Sequence, residues 1–226
     1  MTVKKLLTLK DIPAIFDIVK SGRKNCVLSD ADFRNRCMAC GCPEYLLSTE
    51  ITILLHYTTD FNQKMFLSTL ANTGVSISIA SRLTPSSFVL NTRYPYLYFS
   101  AMTVKCKEEM KITKKTSQKE YIIPLVNEDY VMQLRQLISV HTLNNTGEGK
   151  ELIWAINSIT ASEWIHNATS RVKLDGIPIC FNITPDILRR SFVICMLNLG
   201  IHPGILNRMI YMDDIIDDFN AMKILP

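Results

Sequence analysis

The stretch Thr184-Pro-Asp-Ile-Leu-Arg-Arg-Ser-Phe-Val-Ile-Cys-Met-Leu-Asn-Leu-Gly200 carries the strongest structural signal in the chain. Threonine is a favoured helix N-cap and proline is favoured at the first helical position, so a helix is predicted to start at Thr184. The apolar residues that follow are typical of a helix buried in a core. Gly200 is predicted to end this helix after Leu199, because glycine readily adopts the left-handed conformation found at helix ends.

The rest of the chain divides into helical and extended patterns. Helices are predicted at Ser48–Leu55, with Ser48 as the N-cap, at Asp60–Ala71 with a stop at Thr73–Gly74, and at Ile77–Leu83, Asp129–Val140, Glu151–Thr169 and Gly204–Tyr211. Strands rich in aromatic and β-branched residues are predicted at Tyr96–Phe99, Thr103–Lys107 and Tyr121–Leu125. The order of helices, sheet and helices predicts a mostly helical α+β fold with a small three-stranded antiparallel sheet.

Composition sets the broad class of the protein. A chain of 226 residues that is 47% hydrophobic has enough apolar residues for one sizeable core. The formal net charge of +4 is compatible with nucleic-acid binding but does not require it. No apolar run is long enough to cross a bilayer and residues 1–10 form a poor signal peptide, so a cytoplasmic protein without a membrane partner is expected. Residues 1–45 are predicted to be a basic, cysteine-bearing N-terminal extension, and residues 46–226 the globular domain.

Four cysteines fall within that extension. They are Cys26, Cys37, Cys40 and Cys42. The Cys-x-x-Cys-Gly string that starts at Cys37 has the form of a zinc knuckle, and four thiolates could complete a tetrahedral structural zinc site. The remaining spacing is not that of paired knuckles, so free thiols in a helical turn stay an alternative. A redox role is less expected, since no βαβ pattern surrounds the motif.

Five strings resemble the catalytic domain of the tyrosine recombinases, or phage integrases, and they occur in that family's order. The strings are Leu47–Glu50, Phe66–Leu83, Lys114–Leu125, Ile183–Phe192 and Gly200–Met212. The resemblance covers residues 46–220 and implies the fold of that domain. It also implies a chemistry in which a tyrosine hydroxyl attacks a DNA phosphate, two arginines hold the developing charge, and a hairpin lysine protonates the leaving oxygen.

Several positions that carry this chemistry are replaced. Ser76 stands in place of the first arginine, Ile79 in place of an acidic residue, Asp186 in place of a histidine, and Met212 in place of a late histidine or tryptophan. Serine cannot clamp a phosphate with a charged planar fork. No tyrosine occurs in residues 213–226, and Tyr211 lies too early in the pattern. These losses predict no strand cleavage, no catalytic residues and therefore no enzyme.

Basic residues that remain could still hold DNA. The hairpin lysine is retained as Lys115, or as Lys114 one residue earlier, and the second arginine as Arg189. The predicted DNA-binding residues are Lys105, Lys107, Lys111, Lys114, Lys115, Lys119, Arg189 and Arg190. Contacts of this kind release counterions from phosphates, so the affinity falls steeply with salt. The alternative is a solvated charged hairpin, which is common.

The resemblance favours a non-catalytic DNA-binding transcriptional regulator or co-activator derived from a tyrosine recombinase, which controls genes of a mobile element such as a plasmid or phage. Its expected partners are double-stranded DNA and a protein partner or a second copy of the chain, because residues 1–45 are too few to form the family's N-terminal clamp domain. One alternative is a protein-interaction subunit that docks through Ser76, Ile79 and Met212. Another is an active site-specific recombinase with a displaced nucleophile such as Tyr211.

Overall fold

The structure is a computed structural model that describes residues 6–24, 45–103, 117–144, 151–174, 177–178 and 183–209. Its helices are α1 (Ile12–Lys24), α2 (Ser48–Tyr57), α3 (Phe61–Thr73), α4 (Ile77–Ala80), α5 (Glu128–Asn144), α6 (Ser158–Arg171), α7 (Pro185–Asn198) and α8 (Pro203–Met209). Its strands are β1 (Phe88–Val89), β2 (Tyr96–Thr103), β3 (Ser117–Pro124), β4 (Lys173–Leu174) and β5 (Ile177–Pro178), and short 3-10 turns cover Leu9–Asp11 and Pro85–Ser87. The predicted α+β class is confirmed.

The main sheet has three antiparallel strands in the order β1-β2-β3, so the predicted number of strands is confirmed although their positions differ. β2 and β3 pair over their full length from Tyr96 to Thr103, whereas β1 pairs only with Tyr96 and Leu97. Two of the predicted strands, Tyr96–Phe99 and the start of Thr103–Lys107, are therefore parts of one strand. The sequence did not predict β1, because a strand of two residues is too short to show an alternating pattern. β4 and β5 form a separate two-stranded ribbon.

The core is built around α3, which packs against α5 and α7. Its side chains Met65, Phe66 and Leu67 are fully buried. Trp154 is also buried and meets the Phe66 ring edge-to-face with a centroid distance of 5.6 Å. Trp164 makes the same kind of contact with the Phe66 ring at 5.6 Å and is partly buried.

Helix ends agree with the predictions where a cap is present. Asp60 Oδ1 accepts a hydrogen bond from Gln63 N at 2.8 Å, and Gly74 closes α3 with a φ of 63°. Thr184 caps α7 through its side chain, and Gly200 follows that helix with a φ of 87°. Asp60 and Thr184 act through side-chain hydrogen bonds to their own helix, and Gly74 and Gly200 through their backbone conformation. Each effect is local, which explains why the sequence alone predicts these four residues.

Two predicted helix starts are wrong. The N-cap of α2 is Leu47 and not Ser48, because the Glu50 carboxylate accepts a hydrogen bond from Leu47 N at 2.8 Å and so satisfies the helix end without a serine. Residues 151–157 are not helical, and α6 begins only after Asn157, whose side chain accepts a hydrogen bond from Thr160 N at 2.9 Å. Upstream of this cap, Ile153 N donates to Leu83 O at 2.9 Å, a long-range contact that no local pattern reveals.

Helix α1 joins the same hydrophobic core through Ile15 and Val19. Its start is tied to α8, because Arg208 Nη2 lies 2.9 Å from Asp11 Oδ2. Its end lies close to Leu199, with Gly22 at the contact. The predicted boundary after residue 45 stays a prediction. No helix in the described parts of the chain is long and apolar enough to span a bilayer.

Candidate functional site

A tight turn at the end of α3 starts the candidate site. Gly74 adopts the left-handed conformation, with a φ of 63°, and its N–H donates to Leu70 O at 2.9 Å. The turn brings the Gly74 carbonyl to α7, where Arg189 Nε donates a hydrogen bond to it at 3.2 Å. The packing of α3 on α7 thus joins two segments that lie 115 residues apart in the chain.

Arg189 is held in a way that leaves part of its guanidinium group available. Its side chain is 21% exposed, and Nη1 lies 3.5 Å from Asp186 Oδ1, one turn earlier in α7. Asp186 is 64% exposed, and ion pairs of this kind contribute only roughly 0–1 kcal/mol. An incoming anion can therefore displace the Asp186 carboxylate at low cost. Since Nε is fixed by Gly74, the outer Nη1–Nη2 edge is the part that can grip an anion with two parallel hydrogen bonds.

Ser76 lies two residues beyond the Gly74 turn and begins α4. Its carbonyl accepts the first hydrogen bonds of that helix, from Ile79 N at 3.0 Å and Ala80 N at 2.9 Å. Its side chain makes no capping hydrogen bond to α4 and is half-buried. The hydroxyl is therefore not used to hold the helix end. We refer to Gly74, Ser76, Asp186 and Arg189 as the Arg189 site.

The other predicted DNA-binding residues are not gathered at this site. Arg190 is half-buried in α7, and as the next residue along the helix it leaves the axis about 100° from Arg189. Lys119 lies in β3 opposite Ala101. The remaining predicted lysines lie outside the described residues: Lys105, Lys107, Lys111, Lys114 and Lys115.

The predicted zinc ligands Cys26, Cys37, Cys40 and Cys42 also lie outside the described residues, as do Tyr211 and Met212. Within the described ranges, no group of three or more histidine, cysteine, aspartate or glutamate side chains could hold a metal ion. The zinc site therefore stays a prediction. Ile79, predicted as part of a docking face, is half-buried and lines a cavity beside α4.

Sequence reasoning missed the contact that fixes Arg189. Thr73–Gly74 was interpreted as a helix stop, and the stop is correct. The second role of Gly74, as the acceptor for Arg189 Nε, depends on two helices packing side by side. The available signal was limited to a lone arginine pair on an otherwise apolar helix, since charged residues at buried helices usually have a partner.

Comparison with known proteins gives three relatives. Two Escherichia coli proteins named resolvase, one of them from strain K12, are each 31% identical to the chain over 169 residues, which cover 70% of it. A protein named "Probable site-specific recombinase in afa region", from the same species, is 28% identical over 155 residues. The chain spans 65%, 63% and 60% of these relatives' lengths, less than two thirds of each. No protein-family model matches the chain, and no solved structure matches it.

These names contradict three predictions. Resolvase is a usual name for serine recombinases, so the relatives' names contradict the assignment to the tyrosine recombinases. The predictions of a non-catalytic regulator and of a protein that is not an enzyme are wrong too, because the relatives are named for an enzymatic activity. Ser76 and Asp186 replace catalytic residues only of the tyrosine-recombinase pattern, so their presence does not show that the chain is inactive. By sequence, the chain is similar to Escherichia coli proteins named resolvase and probable site-specific recombinase.

Proposed function

We propose that the protein acts in site-specific DNA recombination as a catalytic recombinase that cuts and rejoins DNA strands. The observation that carries this proposal is the 31% identity over 169 residues to two proteins named resolvase. The Arg189 site supports it, because a guanidinium group that is fixed at Nε, and whose outer edge meets only the exposed Asp186 carboxylate, suits a phosphate group.

The chemistry of strand exchange sets what the site must do. A hydroxyl oxygen attacks the phosphorus atom of the DNA backbone, a new phosphoester bond forms, and the deoxyribose oxygen leaves with a proton. The attack of a second strand's hydroxyl reverses these steps. Negative charge builds up on the phosphoryl oxygens in the transition state, and Arg189 would stabilise it through its outer edge. Gly74 prevents the guanidinium from rotating, which keeps that edge in one direction.

Two hydroxyl groups are candidates for the nucleophile. Ser76 lies two residues from the carbonyl that anchors Arg189, and its side chain is not used to cap α4. Tyr211 was singled out from the sequence as a displaced nucleophile and lies outside the described residues. Ser76 is supported by its place two residues after Gly74, which holds Arg189, and Tyr211 by sequence position alone.

A covalent-adduct assay tests the proposal. The purified protein is incubated with supercoiled plasmids that carry random inserts, and protein bound to DNA after SDS treatment is quantified. We expect an adduct, and we expect Arg189→Ala to reduce it by about a hundredfold or more, as for other groups that stabilise transition-state charge. Arg93→Ala removes the same charge from an exposed residue between β1 and β2 that is not among the predicted DNA-binding residues, and it is the matched control. Absence of both adduct and plasmid relaxation contradicts a catalytic recombinase.

The adduct also identifies the nucleophile. A phosphoserine bond is cleaved by alkali, whereas a phosphotyrosine bond resists it, so alkaline treatment separates the two candidates. Ser76→Ala and Tyr211→Phe are the corresponding variants, and the one that abolishes the adduct without unfolding the protein carries the reactive hydroxyl.

Double-stranded DNA and further copies of the chain are the partners that this function requires. Joining strands from two DNA sites needs protein at each site, so we include a homo-oligomer in the proposal. Analytical ultracentrifugation with and without DNA checks this, and a protein that stays monomeric on DNA at every concentration contradicts it.

A further inference from the structure

A cavity of about 330 Å³ lies beside α4, next to the Arg189 site along the chain. It opens between α4, the 3-10 turn Pro85–Ser87 and the edge of β2. This edge is open because β1 pairs only as far as Leu97, and the residues before Phe88 turn away into the 3-10 helix. The polar residues that line the cavity are Arg82, Ser86, Ser87, Tyr98 and Ser100.

Arg82 is fixed in a manner similar to Arg189. Its Nε donates to Ser78 O at 2.7 Å and its Nη2 to Ser78 Oγ at 3.3 Å, both within the same helical turn. Among the residues that the structure describes, Nη1 has no hydrogen-bond acceptor. The guanidinium is therefore held at its Nε–Nη2 side, and Nη1 can donate a charge-assisted hydrogen bond to an anion.

The other lining groups suit a phosphate ester as the occupant of the cavity, rather than water alone. Ser86 and Ser87 bring hydroxyl groups to one wall, where they hydrogen-bond to Thr84 at 2.8 Å and 3.2 Å. No carboxylate belongs to the lining. The carboxylate on β3, Glu120, accepts a hydrogen bond from the Tyr98 hydroxyl. One cation with several neutral donors and an apolar floor that includes Ile79 suits a phosphate with its attached sugar.

We propose that this cavity, which we call the Arg82 pocket, binds a phosphate of the DNA backbone a few nucleotides from the one bound at the Arg189 site. Arg82 follows Ser76 by six residues and lies two residues beyond the end of α4, so the pocket and the Arg189 site are close together along the chain. The pocket orients the DNA and takes no part in bond breaking. The proposal rests on the proposed function in so far as the ligand is DNA.

The test is the salt dependence of DNA binding. Fluorescence anisotropy gives the dissociation constant for a random-sequence duplex across a salt series. Loss of one phosphate contact lowers the slope of log K against log salt by about 0.9, and near 0.1 M salt it lowers the affinity by up to about eightfold. We expect this change for Arg82→Ala. Lys20→Ala removes the same charge from the exposed face of α1, away from the pocket, and should leave the slope unchanged.

A second variant tests whether the effect of Arg82→Ala arises at the pocket itself. Ser86→Glu places a carboxylate at the mouth of the pocket on an exposed residue, and it should lower the slope in the same way. Thermal unfolding of each variant shows that the fold is kept. Equal slopes for Arg82→Ala and Lys20→Ala overturn the proposal, as does a native chain that does not bind duplex at low salt.

Orthophosphate distinguishes DNA from a free anion as the source of the phosphate. If orthophosphate raises the melting temperature of the native chain but duplex binding does not depend on Arg82, the pocket takes a free anion and the DNA assignment is overturned. The salt slopes are measured whether or not strands are cut. An inactive protein with an Arg82-dependent slope therefore contradicts the proposed catalysis and supports the pocket, whereas an active protein with an Arg82-independent slope does the reverse.

Discussion

Removal of the buried hydroxyl pair Thr69–Tyr130 should destabilise the protein in a strongly non-additive way. Thr69 Oγ1 and Tyr130 Oη lie 2.8 Å apart, and both residues are buried. Thr69 Oγ1 also lies 2.8 Å from Met65 O, to which it donates. A threonine hydroxyl has only one hydrogen, so Tyr130 must be the donor within the pair. The pair links α3, whose end forms the Gly74 turn, to α5.

The two single replacements should differ in cost. Thr69→Val removes the acceptor and leaves the Tyr130 hydroxyl buried without a partner, which costs about 1–3 kcal/mol. Tyr130→Phe removes the donor, but Thr69 keeps its bond to Met65, so the cost is about 0.5–1.5 kcal/mol. In the double variant no buried donor is left unpaired. We therefore expect its cost to be about 1–2 kcal/mol less than the sum of the two single costs.

Urea unfolding followed by circular dichroism gives the free energies of unfolding for the four proteins. Thermal scans provide a second measure, since about 1 kcal/mol corresponds to about 2–4 °C for a chain of this size. Additive costs, with a coupling below about 0.5 kcal/mol, would refute the reasoning, because they would mean that the two hydroxyls do not satisfy each other.

Three further predictions concern the pH dependence, a helix contact and the cysteines. Burial raises the pKa of Tyr130 above its ordinary value of 10.0. The stability that the neutral Tyr130 hydroxyl contributes is therefore fully present below pH 10.0 and falls as the pH rises above that value. Tyr130→Phe should flatten this alkaline decline of the free energy of unfolding in urea titrations. Gly22→Ala puts a methyl group 2.8 Å from Leu199 C and 3.0 Å from Leu199 Cα, both backbone atoms. Although alanine has the better helix propensity, this close approach should lower the free energy of unfolding by about 1–3 kcal/mol. An unchanged melting temperature would count against the described packing of α1. If the predicted zinc site exists, elemental analysis of the purified protein should find about one zinc per chain, lost in a Cys37→Ser, Cys40→Ser variant, whereas a zinc-free native protein would support free thiols.

Local signals in the sequence predict those parts of the fold that depend on neighbouring residues. Asp60, Gly74 and Gly200 act on their own helix ends, and each lies where the sequence predicts. The late start of α6 was missed because its cap, Asn157, lies inside a stretch whose composition is compatible with a helix. The two-residue strand β1 exists only because β2 lies beside it.

The candidate site shows the same division. Arg189 was predicted as a DNA-binding residue, but the carbonyl that orients it comes from Gly74, 115 residues earlier. The opening of the Arg82 pocket depends on where β1 stops pairing with β2, which no property of the local string determines. The functional prediction failed for another reason. The loss of activity was inferred from residues, such as Ser76, that differ from the tyrosine-recombinase pattern. Because the relatives' names contradict that family, those differences do not show that the chain is inactive.

The docking of α1 has a consequence for how the chain is made in the cell. Ile15 and Val19 are buried in the same cluster as residues of α7 and α8, which follow about 170 or more residues later. At a synthesis rate of about 5–20 residues per second, α1 leaves the ribosome roughly 10–40 s before those partners. During that time Phe16 can already pack on Tyr94, but the surface of α1 that lies against Leu199 remains uncovered on the nascent chain. Chaperones that bind short apolar helices should therefore associate with ribosomes translating the first part of this protein, and release it once α8 has emerged.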